Sequence, residues 1–160
     1  MKKYLLFLIA ILSVSLTSCS VDDDYCGNDF YKSKQLAPVY AFHPDNFRVY
    51  GLKGERFTVI KSEQEFQERV RGAQYYKGAI DFRYDELIIG QTYATGFNSI
   101  IDITPMYRES CGYGGENLLE VEINVNRGNL YTDFIVYHTV VPRTKSDRYS
   151  VLPTVRYRSR

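Results

Sequence analysis

The sequence predicts a mainly β (α+β) domain: a curved antiparallel sheet or β-sandwich with one short helix near residues 62–72. Three observations carry that prediction. Leu119, Val121, Ile123 and Val125 alternate with Glu120, Glu122 and Asn124, the two-residue period of a half-exposed strand. Further segments rich in β-branched and aromatic residues follow one another across short, glycine-containing turns. Only one stretch combines a helix start signal with a helical face, so antiparallel pairing of successive strands is favoured over βαβ winding.

In chain order, regular structure is expected from about Phe47, after at most a short strand around Val39–Phe42. Arg56-Phe57-Thr58-Val59-Ile60 reads as a strand. Ser62-Glu63-Gln64-Glu65 fits a capping box, with Ser62 as N-cap and Glu65 reaching back. Phe66, Val70 and Ala73 then share a face, and Gly72 marks the helix end. Ile80-Asp81-Phe82 is a short extended piece. The unbroken apolar start of the strand Leu87–Ala94 predicts a position buried on both faces. A turn is expected at Thr95-Gly96-Phe97-Asn98, returning through Ser99–Thr104, where Pro105 implies an edge or bulge. Cys111–Gly115 reads as a loop, Asn126–Asn129 as a turn around Gly128, and Thr132–Val141 and Val151–Arg160 as the last two strands.

The N-terminus has a different character. Lys2 and Lys3 precede an apolar run from Tyr4 to Leu16, which Leu16-Thr17-Ser18-Cys19 closes with small residues before a cysteine. A charged start, a brief apolar core and a small-residue cut describe an export signal. The alternative, a membrane-spanning or buried helix, meets the objection that spanning takes about 20 apolar residues. The run resembles the bacterial lipobox, which implies that Cys19 is acylated and begins the mature chain. Asp22, Asp23 and Asp24 follow directly and resemble the surface-export signal of Bacteroidetes lipoproteins; a solvated acidic linker is the plainer reading of the same residues. The expected organisation is a signal peptide over 1–18, an acylated acidic tether over 19–45 and a single β-rich domain over 46–160. The expected location is the outer membrane, lipid-anchored and facing the cell surface.

The formal charge of +1 includes Lys2 and Lys3, so the mature chain carries 18 basic against 19 acidic residues. That balance excludes the strong basic excess of a nucleic-acid binder. Six of the basic residues, with Asp147 the one acid, lie between Arg143 and Arg160. They read either as a patch for a polyanionic partner or as charges that protect an edge strand from pairing. Cys26 and Cys111, 85 residues apart, are candidates for a disulfide, which would add roughly 4–5 kcal/mol in the loop-entropy model.

The order Val59-Ile60, a capped helix bearing Phe66, Ile80-Asp81-Phe82 and Leu87-Ile88-Ile89-Gly90 resembles the protease complex subunit (PrcB-like) family of bacterial lipoproteins, over roughly residues 56 to 125. The chain departs from that family in having no tryptophan and only Thr95-Gly96-Phe97 at its characteristic turn. The resemblance implies a noncatalytic accessory or binding role beside a partner protein, and brings no catalytic residues.

The chemical inventory is thin. His43 and His138 are the only histidines, and neither has the cysteine or acidic neighbours of a zinc site; no metal and no cofactor are expected. Cys111 in its glycine loop would serve as a hydrolase nucleophile only with a base such as His138 beside it, and no cysteine-protease signature surrounds it. Fifteen tyrosines make binding the stronger expectation, although tyrosine also covers strands for reasons of propensity alone. The candidate binding surface is Tyr113, Tyr131, Arg156 and Arg158. The expected partner is an envelope or secreted protein, a glycan is the alternative, and the membrane is contacted through the lipid.

Overall fold

The computed structural model describes residues 30–36, 47–110 and 115–159. The expected signal peptide, Cys19, Cys26, Val39–Phe42, His43, Cys111 and Tyr113 lie outside the described residues. The order is β1 (Tyr31–Lys32), β2 (Arg56–Ile60), α1 (Glu63–Arg69), a 3-10 turn (Ala73–Tyr76), β3 (Asp85–Arg108), β4 (Asn117–Pro142) and β5 (Tyr149–Arg158). The fold is mainly β, a mostly antiparallel curved sheet with one short helix, as expected.

The start of the helix follows its sequence signals, but it ends before Gly72. Arg69 is the last helical residue, Val70 is extended and bridges Val49, and Ala73 belongs to the 3-10 turn. Ser62 caps it by accepting from the Glu65 N–H at 3.1 Å, while Glu65 reaches back to the Lys61 N–H at 3.1 Å. Gly72 takes a φ of +85°, the left-handed turn that starts the 3-10 segment. Phe66, Val70 and Ala73 are buried together with Ile60, Leu87 and Ile89, so the helix covers the outer face of the first half of β3. That cover is why Glu86 through Gly90 are buried on both faces.

β3 and β4 are the frame. A strand of 26 residues would run about 85 Å if straight. Yet Tyr149, only seven residues past Pro142, pairs with Asn117 at the other end of β4. The ribbon must therefore fold on itself. It does so where Thr95 pairs with Thr132, Phe97 with both Tyr131 and Arg127, and Ser99 with Asn126. There β4 carries extra residues, a bulge around Gly128 opposite Gly96 (φ +67°). The two glycine signals that read as separate turns are thus the two sides of one bend, and neither strand ends there.

Folding brings Asp85, Arg108, Asn117, Pro142 and Tyr149 to one end of the molecule, here the closed end. It puts Thr95–Ser99, Asn126–Thr132 and Tyr157 at the other, the bent end. The fold also corrects the direction of the last strand: β5 runs parallel to the first half of β4, with Asn117 opposite Tyr149 and Asn126 opposite Arg158. A connection over 143–148 can place it that way only because the second half of β4 has already returned to the start of the first.

Residues 31–34 stitch the far edges together. β1 pairs with Tyr107 and Met106 of β3, and Lys34 bridges Val140 of β4. The Ser33 N–H donates to the Pro105 carbonyl at 3.1 Å and the Val140 N–H to the Lys34 carbonyl at 2.7 Å. The chain thus joins the sheet earlier than its periodicity indicates. The sheet closes most of the way round a second apolar cluster that includes Ile88, Phe97, Tyr107, Leu119, Ile123, Ile135 and Tyr137.

Candidate functional site

The closed end carries buried polar groups that bond to other segments of the chain. The Asn117 side chain donates to the Thr144 hydroxyl and the Ser146 carbonyl, both at 2.9 Å, and accepts from the Ser110 N–H at 2.9 Å. Its backbone N–H donates to the Arg148 carbonyl, so one residue ties Ser110 and the 143–148 connection to the sheet. Glu86, 4 % exposed, accepts from the Tyr149 hydroxyl at 2.7 Å and lies 3.5 Å from Arg143 and 3.8 Å from Lys61. Burial, then the Glu86 carboxylate, hold the Tyr149 phenol well above its usual range.

His138 belongs to the outer face. Its ring stacks on Phe47 at 3.9 Å and its Nε2 accepts from the Leu36 N–H at 3.2 Å. Burial pulls its pKa down to about 4, so it is neutral near pH 7. Among the described residues, no group of three His, Cys, Asp or Glu converges as metal ligands would.

The bent end has the opposite character. Leu130 is 72 % exposed and Tyr131 53 %, with Tyr93 and Tyr157 also exposed. Tyr131 leans on Phe97 at 5.6 Å, Tyr93 on Phe134 at 5.3 Å, and the Arg127 guanidinium lies 5.9 Å from the Tyr157 ring. Asn98 holds the bulge by accepting from the Leu130 N–H at 3.2 Å. A Cβ on Gly128 would meet that Asn98 amide within 2.1 Å, so a larger residue here would displace Asn98 from its bond to Leu130.

Of the predicted surface residues, Tyr131 and Arg158 sit at the bent end, Arg158 opposite Asn126. Arg156 stands two residues further back on the same face of β5. There Arg156 Nε lies 3.0 Å from Glu122 and Arg158 Nε donates to Asn124 Oδ1 at 3.3 Å. Both arginines are thus engaged across the strand with residues of β4, the arrangement of a charged sheet face. Leu130, Tyr93 and the Arg127–Tyr157 pair were missed; their juxtaposition depends on the bend, which no local spacing announces.

A cleft of about 570 Å³ forms the second feature, lined by Glu55, Arg56, Phe57, Gln91, Thr92, Tyr137, Val151 and Pro153. It lies where the sheet fails to close, between β2 and β5. Glu55 is fixed by the Tyr93 N–H and the Thr92 hydroxyl, each at 2.8 Å, and those bonds, the backbone one first, lower its pKa. Across the strand pair, the Tyr137 ring covers Gly90, where a Cβ would come within 2.3 Å of it. Burial, then the Glu55 charge, raise the Tyr137 phenol well above its usual range. A lone glycine inside a predicted strand is a signal for such close approach, and Gly90 carried it. Searches against protein-family models, curated proteins and solved structures each return no match.

Proposed function

We propose that this chain is a surface-anchored, noncatalytic lipoprotein that binds another envelope or secreted protein through its bent end. The observation that carries the reading is polarity. Phe30 and β1 join the sheet beside Arg108 and Tyr107, at the closed end, whereas exposed Leu130 and Tyr131 sit at the bend. The two lie about 30 Å apart along the strands. Cys19 is eleven residues before Phe30, so a lipid there holds the closed end toward the membrane and presents the bent end away from it. Exposed tyrosine beside arginine is the combination enriched where protein interfaces are anchored.

His138 is committed to Leu36 and Phe47, which supports a role without a Cys111–His138 catalytic pair. The glycan alternative draws on the same tyrosines, Tyr131 above all. Affinity capture from detergent-solubilised membranes tests the protein-binding reading. The full chain recovers a stoichiometric partner, and Leu130→Asp with Tyr131→Ala loses it while leaving the fold unchanged. Undiminished capture by the double variant would contradict the assignment, and glycan-array binding lost on Tyr131→Ala would favour the alternative.

A further inference from the structure

The gap in the sheet has the properties of a site awaiting a strand. Among the described residues, β2 pairs only with β3 and β5 only with β4, so each turns an unpaired edge toward the cleft. Unpaired N–H and C=O groups along an edge are a template for an added strand. The two edges do not satisfy each other: Phe57, Tyr137 and Val151 occupy the space between them, and Pro153 has no N–H to donate. Charged and exposed groups stand at the mouth, Glu55 and Arg56, with apolar Phe57 and Val151 beneath.

A second observation is independent of the strand edges. Tyr137 is only 3 % exposed, yet its hydroxyl has no hydrogen-bond partner among the described residues, and it lines this cleft. The ring is packed while the hydroxyl opens onto the cleft, with its donor free for a ligand acceptor. Both hydrogen bonds to Glu55 fall on Oε1, which leaves Oε2 to accept from a ligand. The site therefore offers a neutral mixture of donors and acceptors, at strand spacing along two edges, above an apolar floor. That is the complement of a peptide backbone with alternating side chains.

We infer that the β2–β5 cleft receives an extended segment of the partner protein, which adds as a strand and accepts from the Tyr137 hydroxyl. The inference rests on the protein-binding reading and names how part of that partner is held. β2 and β5 run in opposite senses past the cleft, so the added strand is antiparallel to one and parallel to the other.

The test uses a random linear dodecapeptide library displayed on phage, selected on the immobilised full chain. Enriched peptides are then synthesised and titrated by NMR. The expected result is slowed amide exchange on the outward edges of Arg56–Ile60 and Tyr149–Val155. Tyr137→Phe, which keeps the ring and so the packing on Gly90, weakens binding about three- to tenfold, the value of one hydrogen bond. Tyr84→Phe, an exposed tyrosine elsewhere, leaves it unchanged. The inference is overturned if no peptide is enriched, if protection falls at Leu130 and Tyr131 instead, or if Tyr137→Phe binds as tightly as the parent. Those outcomes leave partner capture through the bent end standing. Loss of capture in the Leu130 and Tyr131 variants is read separately, so failure of the cleft and failure of the broader reading are distinguishable.

Discussion

The two ends of the folded ribbon are made from the same pair of strands and treat polar and apolar groups in opposite ways. At the closed end, Asn117, Glu86, Ser33 and Thr139 are polar and buried, each with partners on other segments. At the bent end, Leu130, Tyr131 and Tyr93 are large, apolar in part and exposed. Buried polar networks add rigidity only when every member is satisfied, and exposed apolar groups persist at a surface that something else covers. On the proposed function, the difference separates holding the fold from meeting a partner.

The comparison can be broken at either end. The largest effect is expected at the closed end. Asn117→Ala removes three side-chain hydrogen bonds from a fully buried position and should cost about 3 kcal/mol, read as a lowered denaturation midpoint with little change in slope. An effect under about 1 kcal/mol would mean that the loops hold without it.

Acid should act next. His138 titrates near 6.5 unfolded and about 4 folded, so its contribution is complete above pH 6.5. It is lost as pH falls toward 4, because the unfolded chain binds the proton first; the loss is on the order of 2–3 kcal/mol. Urea midpoints measured from pH 7 to pH 4 should fall, and amides of residues 33–36 should lose protection early, since Leu36 donates to the ring that must protonate. A flat profile would place His138 in a wetter setting.

Gly90→Ala forces a Cβ into the Tyr137 ring and should cost about 2 kcal/mol, with the Tyr137 ring resonances displaced. The smallest stability change belongs to the bent end. Tyr131→Ala and Leu130→Asp should shift stability by less than about 0.5 kcal/mol, because surface changes away from buried networks rarely do more. A large loss of stability there would make the exposed cluster structural and remove the contrast.

What was legible in the sequence was local. The Ser62–Glu65 cap, the Phe66 face, the doubly buried Leu87–Ile89 run and the alternation over 119–125 each follow from spacing within a few residues, and each is present. What was not legible depends on contacts between distant residues. Gly96 and Gly128 looked like two turns because a bulge shared by two strands leaves the same local mark as two loops. The parallel setting of β5 follows only from that bend. Gly90 meets Tyr137, 47 residues on, through register alone. Tyr131 and Arg158 were named for their residue type and do lie at the same end, whereas Arg156 pairs with Glu122 as a sheet charge does.

The most direct measurement places a photo-crosslinking amino acid at position 130 or at position 148 of the full chain, displayed on intact cells. Leu130 stands at the bent end and Arg148 at the closed end. A partner presented away from the membrane predicts a discrete adduct from position 130 and none from position 148. An adduct from position 148 alone, or from neither position, would contradict the account.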